Sequence, residues 1–161
     1  MRVGNGFDVH AFDPTLERPL VLCGVKIAEG PPLAGHSDAD VGTHAVIDAL
    51  LGAAALGDLG TRFGVDDPAI AGARSIDLLV STVELVHSQD HQLANLDLTL
   101  IAQRPHLSPY RLPMRETLAA ALGVGVDQVS VKFTSTDRLG ALGRAEGIAA
   151  WATCLLAGRP R

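Results

Sequence analysis

Charged residues are scarce in this sequence. They make up 19% of the 161 residues, whereas a soluble domain typically contains about 25%. Apolar residues account for 47%, and 17 glycines further reduce the polar share. A composition of this kind excludes an intrinsically disordered chain. It also indicates more apolar surface than one small core needs, so we expect part of that surface to be buried between subunits.

Long apolar runs, basic clusters and paired cysteine motifs are lacking as well. No apolar run approaches the ~18 residues that cross a bilayer. The net charge of −5, without a basic run, argues against nucleic acid or a membrane as a partner. No signal or transit peptide is visible at the N-terminus. Cys23 and Cys154 have no paired spacing and are expected to be free thiols. We therefore expect a protein of the bacterial cytoplasm.

Hydrophobic periodicity predicts strands and helices in one domain that spans residues 1–161. The predicted strands are Met1–Val9, Leu20–Ile27, Leu93–Ala102, Val126–Phe133 and Gly147–Leu156. The predicted helices run from a cap at Ser37 to about Leu56, over Ala73–His87 and over Met114–Leu122, with non-helical segments at Gly57–Pro68, Pro105–Pro113 and Thr134–Glu146. Because these elements do not alternate strictly, the predicted fold class is α+β.

The most informative polar residues are Asp8, His10 and His44. Asp8 and His10 are two apart on a predicted strand, so their side chains point to the same side. Asp40, His44 and Asp48 are four apart and share one helix face. Asp8, His10 and His44 together would give three N/O ligands and an open fourth position, as in a catalytic zinc site. Asp48 is predicted to accept the other ring N–H of His44.

Simpler interpretations of these residues remain open. Each half of the cluster, taken alone, is typical of ordinary surface residues, and only their combination in a chain with few charges favours a metal site. His36, Ser37 and Asp38 are contiguous, whereas the members of a hydrolase triad come from separated segments. The glycines at Gly4 and Gly6 lack the third glycine of a dinucleotide-binding loop, and no P-loop motif occurs.

A third cluster extends from Lys132 to Gly147. Three consecutive hydroxyl residues, Thr134–Thr136, follow Lys132 and could donate to phosphate oxygens. Asp137 could hold a second divalent ion against those phosphates. A strand followed by a glycine-rich turn with solvated charges explains the same pattern, and for this cluster alone it is the better interpretation.

These motifs together resemble the 2-C-methyl-D-erythritol 2,4-cyclodiphosphate synthases of the non-mevalonate isoprenoid pathway. The resemblance covers essentially the whole chain and is carried by Gly6–Phe12, His36–Val41, His44–Gly60, Ile101–Gln103 with Pro105, Thr134–Thr136 and Gly143–Ala149. It implies a mixed β-sheet with helices packed on one face, in a homotrimer whose sheets face the three-fold axis. It also implies active sites between subunits that cyclise 4-diphosphocytidyl-2-C-methyl-D-erythritol 2-phosphate and release CMP.

The resemblance also implies roles for individual residues. Positions matching Asp8, His10 and His44 hold Zn²⁺, and Asp137 matches a position that contacts Mg²⁺ or Mn²⁺ on the substrate diphosphate. His36 and Ser135 match groups that stabilise the transition state. The implied substrate-binding residues are Asp8, Val9, His10, His36, Ser37, Asp58, Leu59, Gly60, Phe63, Asp66, Asp67, Ala102, His106, Leu107, Thr134, Ser135, Thr136, Asp137, Ala141 and Arg144.

Several positions depart from the family pattern. Val65 replaces an acidic residue beside the substrate, and Asp66 is the candidate to replace it. His106 stands where a lysine is common in the cytidine pocket, so its charge there depends on pH. Asp137 replaces the usual glutamate. Ala141 replaces a phenylalanine that lines an apolar cavity on the trimer axis, where the residue matching Arg144 can hold an isoprenoid diphosphate.

Two other functions fit parts of the same pattern. A zinc-dependent nucleotide-diphosphate hydrolase would use the same metals but deliver water to the phosphate. A non-catalytic trimeric protein that binds an isoprenoid diphosphate would use Arg144 and the axis without turnover. The loss of an aromatic ring at Ala141 argues against the second.

Overall fold

The computed structural model describes residues 1–64 and 73–159. Its strands are β1 (Arg2–Ala11), β2 (Leu20–Leu22), β3 (Val25–Ile27), β4 (His91–Ile101), β5 (Val129–Thr134) and β6 (Gly147–Gly158). Its helices are α1 (Val41–Ala54), α2 (Leu59–Phe63), α3 (Ser75–Ser88), α4 (Arg111–Leu122) and α5 (Gly140–Gly143), with 3-10 turns at Ser108–Tyr110 and Val126–Gln128.

The main sheet has the strand order β1-β6-β4-β5. Strand β6 pairs antiparallel with both β1 and β4, whereas β4 and β5 are parallel and are joined through α4. Strands β2 and β3 form a separate two-stranded hairpin. The predicted α+β class with a mixed sheet is therefore confirmed.

One face of the sheet is closed by helices, as predicted. Alternate residues of β4 and of the second half of β6 are buried. The largest fully buried side chains of α1, Ile47, Leu50 and Leu51, lie in the same core. Helix α1 is buried almost all round because α3 covers its outer side. It is consequently the central element of the core rather than an amphipathic surface helix.

The opposite face of the sheet carries large apolar side chains that are exposed in the single chain. Val3, Phe7 and Val9 of β1 and Trp151 of β6 are each more than half exposed. Phe7 and Trp151 lie opposite each other in the strand register, and their rings meet edge to face with centroids 5.9 Å apart. We call this surface the open face. Within the described residues, no helix packs over it.

Two boundaries differ from the predictions because local turns interrupt the pattern. The strand predicted over Leu20–Ile27 is a hairpin, since Cys23 and Gly24 adopt positive φ angles of 54° and 73° and reverse the chain. The cap of α1 is Asp40 rather than Ser37. The buried Asp40 carboxylate accepts hydrogen bonds from the backbone N–H groups of Thr43, Cys23 and Gly24, and therefore joins the hairpin to the helix.

Two segments predicted to lack helices contain short ones. Helix α2 lies within Gly57–Pro68, and α5 lies within Thr134–Glu146. Both are too short for hydrophobic periodicity to reveal them. No helix in residues 1–64 and 73–159 is long and apolar enough to span a membrane. Cys23 and Cys154 are both buried and unpaired in the structure.

Candidate metal centre and substrate cleft

Close contact between β1 and α1 determines the position of the candidate metal centre. A Cβ on Gly4 would lie 2.0 Å from the carbonyl oxygen of Ala49, and one on Gly6 would lie 1.9 Å from that of Ala45. Only glycine allows the two backbones to approach so closely. Asp8 and His10 continue the same side of β1 beyond Gly6, and they therefore reach the first turn of α1.

There, Asp8, His10 and His44 converge as predicted. Oδ2 of Asp8 lies 3.0 Å from Nε2 of His10 and 3.0 Å from Nδ1 of His44. One potential ligand atom from each residue lies within 4.8 Å of the other two. Two imidazole nitrogens and one carboxylate oxygen are a donor set that suits a divalent transition metal.

The remaining ring nitrogens of the two histidines are bonded to the protein. Nδ1 of His10 donates to the carbonyl oxygen of Ala34. Nε2 of His44 lies 2.8 Å from Oγ of Ser75 and 3.4 Å from Oγ of Ser37. Each imidazole is thus held by one nitrogen and presents the other to the shared site. This arrangement fits a bound metal ion, because ligating histidines ordinarily have their second nitrogen hydrogen-bonded.

The predicted partner of His44 was wrong. The Asp48 carboxylate accepts the backbone N–H of Leu59 at 2.8 Å, and it therefore anchors the start of α2 instead of the His44 ring. Burial raises the pKa of Asp48, while the bond from Leu59 opposes that shift. Helical spacing placed Asp48 on the correct face, but the spacing could not show that Ser75 of α3 takes the second nitrogen of His44.

The electrostatics of the centre favour an ionised carboxylate. Burial raises the pKa of Asp8. The hydrogen bonds and charges of His10 and His44 together lower this pKa by more than burial raises it, so the net pKa of Asp8 lies well below its usual value. Burial lowers the pKa of His10, but the adjacent Asp8 raises it by more, so the net pKa of His10 lies above its ordinary value. Asp8 therefore presents a negative charge to any cation in the site.

Arg18 holds the loop that precedes α1. Its guanidinium donates to the carbonyl oxygens of Leu33, Gly35 and Ser37. Ser37 is buried, whereas the His36 side chain between these anchored carbonyls is exposed. Sequence reasoning missed Arg18, since nothing in its spacing connects it to residues 33–37.

The loop after α1 is also fixed by side-chain caps. Asp58 caps α2 by accepting the backbone N–H of Thr61 at 2.7 Å, and its own side chain is exposed. Leu59, Gly60 and Phe63 are half-buried on the same short helix. The predictions for Val65, Asp66 and Asp67 concern positions outside the described residues.

A cleft of about 1050 Å³ opens beside the ends of β4 and β5. Five of the predicted substrate-binding residues line it, namely Ala102, His106, Leu107, Thr134 and Ser135. Gln103, Arg104, Pro105 and Ser108 also line it and lie within the segment Ala102–Ser108 that the resemblance assigns to the cytidine pocket. Residues of the cleft that the sequence analysis did not include are Phe12, Pro14, Glu29, Gly30, Pro31, Phe133 and Ala145. Those at positions 12–31 come from the region before α1, which no motif connects with β4 and β5.

The turn after β5 uses several predicted side chains internally. Oγ of Ser135 accepts the backbone N–H of Asp137 at 3.2 Å, and Asp137 has a φ of 50°. Oγ1 of Thr136 donates to the carbonyl oxygen of Leu139 at 2.7 Å. Thr136 and Asp137 are not among the residues that line the cleft in the described chain, and the Asp137 side chain is exposed. Ser135 is the member of this turn that both stabilises it and faces the cleft.

The predicted axial residues lie beyond this turn. Ala141 is exposed on α5, and Arg144 directly follows that helix. The Arg144 guanidinium donates to the Glu146 carboxylate at 2.6 Å, and both side chains are largely exposed. The structure brings Arg144 together with Glu146 rather than with the metal centre.

Comparisons with known proteins identify, over nearly the whole chain, the family that the sequence motifs resemble. The model of the YgbB family matches residues 1–157. The 2-C-methyl-D-erythritol 2,4-cyclodiphosphate synthase of Symbiobacterium thermophilum is 52% identical over 159 residues, which cover 99% of this chain and 100% of that protein. The resemblance inferred from the motifs is therefore confirmed.

Solved structures support the same relationship. The bifunctional IspDF from Campylobacter jejuni superposes with a TM-score of 0.93 at 38% identity, over 98% of this chain, and the chain spans 42% of that protein. The IspF of Plasmodium falciparum, solved as a CDP complex, gives a TM-score of 0.86 at 30% identity, over 99% of this chain and 97% of that one. With matches of this extent in both sequence and structure, the chain belongs to the YgbB family.

Proposed function

We propose that this protein is a phosphorus–oxygen lyase that forms 2-C-methyl-D-erythritol 2,4-cyclodiphosphate. Its substrate would be 4-diphosphocytidyl-2-C-methyl-D-erythritol 2-phosphate, and CMP would be the second product. The observation that carries this proposal is the 52% identity to a synthase of that name over 99% of the chain. We also propose that residues 1–161 form one domain, since one buried cluster joins β2 to β6 through α1.

Zn²⁺ is the ion we assign to Asp8, His10 and His44. The donor set, the charge of the half-buried Asp8 carboxylate and the hydrogen-bonded second nitrogens of the two histidines all suit it. When bound, the ion would supply a Lewis acid that polarises the β-phosphate. We assign Mg²⁺ or Mn²⁺ to the substrate diphosphate, with Asp137 as its protein contact, because its carboxylate is exposed, with Oδ1 accepting the Ser135 hydroxyl at 3.3 Å.

The cleft is the proposed site of the cytidine diphosphate portion. Ala102, Leu107 and Thr134 would contact the nucleoside, and His106 would lie near the phosphates. The CDP bound to the related protein of Plasmodium falciparum supports a nucleotide in this family. The methylerythritol portion would then extend toward the metal centre, where Asp58–Gly60 and Phe63 would contact it, with Asp66 and Asp67. Val9 would contribute only its backbone there, because its side chain lies on the open face.

The reaction requires no protein nucleophile. A bond forms between an oxygen of the 2-phosphate and the β-phosphorus, and the bond from that phosphorus to the oxygen bridging to the α-phosphate breaks, so that CMP leaves with the electron pair. His36, Ser37 and Ser135 would donate hydrogen bonds to the phosphate oxygens. The protein therefore acts mainly by holding the two phosphates in line and by offsetting their charge.

The open face is the proposed trimer interface. Phe7, Val9 and Trp151 form an apolar surface on a chain that has few charges, and burial of such a surface between copies is favourable. Three sheets would face the three-fold axis. Each active site would then combine the metal centre of one subunit with the cleft of its neighbour.

The residues around Arg144 disfavour binding of an isoprenoid diphosphate on the trimer axis. Such a ligand would have to displace Glu146 from Arg144 and would find Ala141 instead of an aromatic ring. We place the enzyme in the bacterial cytoplasm, a compartment that suits its two buried, unpaired cysteines.

³¹P NMR of the purified protein with its proposed substrate, Zn²⁺ and Mg²⁺ tests the function. We expect a cyclic diphosphate and CMP to appear together. His44→Ala should abolish most turnover and zinc binding, whereas His87→Ala, a histidine change on α3 away from the centre, should leave both intact. Open-chain phosphates would instead establish the hydrolase, and binding of an isoprenoid diphosphate without turnover would establish the non-catalytic protein.

A further inference from the structure

A buried hydroxyl and a carboxylate lie directly behind the candidate metal centre, and the proposed function gives them no role. We propose that Ser75 and Asp38 are positioning residues that orient the His44 ring and place its proton on Nε2, leaving Nδ1 free to bind the metal. This inference rests on the metal site assigned above, which it deepens by explaining how one ligand is prepared.

The contacts form a continuous chain from ring to carboxylate. Nε2 of His44 lies 2.8 Å from Oγ of Ser75, a side chain that is completely buried. The Ser75 hydroxyl donates to Oδ1 of Asp38, and the Ser75 backbone N–H donates to Oδ2 of the same carboxylate at 3.0 Å. Ser37 is a poorer partner for the ring at 3.4 Å.

The chemistry of these three groups fixes the direction of the hydrogen bonds. An ionised carboxylate only accepts, so the hydroxyl proton of Ser75 is directed to Asp38. The oxygen of Ser75 then has only lone pairs to offer the ring, and it accepts the N–H of Nε2. A neutral imidazole with its proton on Nε2 has a lone pair on Nδ1, the atom that lies 3.0 Å from Oδ2 of Asp8. A cation bound between these two atoms would take that lone pair and replace their direct hydrogen bond.

The same carboxylate joins two chain segments. The backbone N–H of Asp38 donates to the carbonyl oxygen of Ala73 at 3.3 Å, and Oδ1 accepts the backbone N–H of Asp40 at 3.3 Å. Helix α3 has no side-chain cap from Arg74, so Asp38 supplies one from a distant part of the chain. The start of α3 is thereby fixed relative to the first turn of α1, and Ser75 is held at the His44 ring.

Metal affinity measured by chelator competition tests this inference on the full-length, metal-stripped protein. Zn²⁺ and Co²⁺ are the probes, because Co²⁺ also reports ligand geometry through its visible absorption. We expect Ser75→Ala and Asp38→Asn each to weaken binding by about 10–100-fold and to change the Co²⁺ spectrum. Thr82→Ala is the matched control, since Thr82 is a fully buried hydroxyl on the same helix that bonds only within it.

The double variant separates positioning from general destabilisation. Both side chains act through one chain of hydrogen bonds, so Ser75→Ala combined with Asp38→Asn should lose little more affinity than either change alone. Additive losses that match the fall in thermal stability would overturn the inference. Wild-type affinity in Ser75→Ala would also overturn it, and if that variant does not fold, the nearly isosteric Asp38→Asn decides.

Failure of the inference differs from failure of the proposed function. If the wild-type protein binds neither ion, the assigned metal site and the inference are both wrong. If wild type binds tightly and cyclises its substrate while Ser75→Ala and Asp38→Asn bind equally well, only the positioning role is wrong.

Discussion

The two faces of the main sheet have the same backbone and opposite surroundings. On the helix face, Gly4 and Gly6 let α1 approach β1 until the backbones touch. On the open face, the intervening residues Val3, Phe7 and Val9 project into solvent in the single chain. A single strand thus combines close internal packing with an unoccupied apolar surface.

This difference separates two functions along β1. The helix face positions Asp8 and His10 against His44, so its geometry must be fixed within the chain. The open face needs only apolar surface of the right shape, because a second copy of the chain would complete it. The small residues of β1 therefore position the candidate metal centre, and the large ones are available for the proposed assembly.

The largest expected effect comes from filling the contact on the helix face. Gly6→Ala places a Cβ 1.9 Å from the carbonyl oxygen of Ala45, so α1 must shift away from β1. We expect the free energy of unfolding to fall by about 3 kcal/mol and metal affinity to fall with it, as measured by denaturant unfolding and chelator competition.

Gly52→Ala is the control for that substitution. Gly52 lies on the same helix as Ala45. A Cβ added to Gly52 would have the carbonyl oxygen of Asn5 as its nearest neighbour at 3.9 Å, which is an ordinary van der Waals contact. This change should stabilise the protein by about 0.5–1 kcal/mol, because alanine is the better helix former. Equal behaviour of the two variants would show that the β1–α1 contact does not determine the site.

A smaller effect on folding, with a large effect on assembly, is expected on the open face. Trp151→Glu places a charge opposite Phe7, at the centre of the proposed interface. Sedimentation should show the wild type at about three times 16.8 kDa and the variant as a single chain. Metal binding should persist in the variant because Asp8, His10 and His44 lie on the other face.

Leu112→Glu serves as its control. Leu112 is a similarly exposed apolar residue, but it lies on α4 instead of the sheet. The trimer should survive this change. Dissociation by both substitutions, or by neither, would contradict the assignment of the interface to the open face.

The smallest expected effect is a difference in cysteine reactivity between the two faces of the sheet. Cys154 lies on the helix face, where its Sγ donates to the carbonyl oxygen of Ala49 at 3.3 Å and burial raises its pKa to about 11. Burial raises the pKa of Cys23 as well. With a pKa of about 11, only about one thousandth of the Cys154 thiol is ionised at pH 8. We expect neither cysteine to react with Ellman's reagent until the protein unfolds.

A cysteine on the open face provides the contrast. Thr153→Cys, introduced into the Trp151→Glu single chain, should add one thiol that reacts rapidly in the folded protein. Rapid reaction of Cys154 in folded wild type would instead mean that α1 does not seal its face of the sheet.

Periodicity predicted the long elements well because their burial is regular. Strand β4 alternates Leu96, Leu98 and Leu100 with polar residues, and the structure buries that set. The hairpin at Cys23 and Gly24 was missed because an apolar run conceals the turn. Helices α2 and α5 were missed because each is about one turn long.

The metal centre was predictable in its ligands but not in their support. Asp8, His10 and His44 have the residue types and the local spacing of a site. Ser75 and Arg18 lie far from those motifs in sequence, and only the tertiary structure brings them together with His44 and with residues 33–37. The spacing of Gly4 and Gly6 indicates that both lie on one side of a strand, where another element can approach closely. That spacing does not show which helix they contact.

The position of β6 in the sheet has a consequence for the order of assembly. Strand β1 is synthesised first, yet among the described strands it pairs in the sheet only with β6, which is synthesised last. A ribosome that adds about 5–20 residues per second takes roughly 7 to 27 seconds to make the chain between these two strands. Throughout that time the main partner of the strand carrying Asp8 and His10 is α1. We therefore expect the ligands to be held by the glycine contact during synthesis and the ion to be retained firmly only after the polypeptide leaves the ribosome.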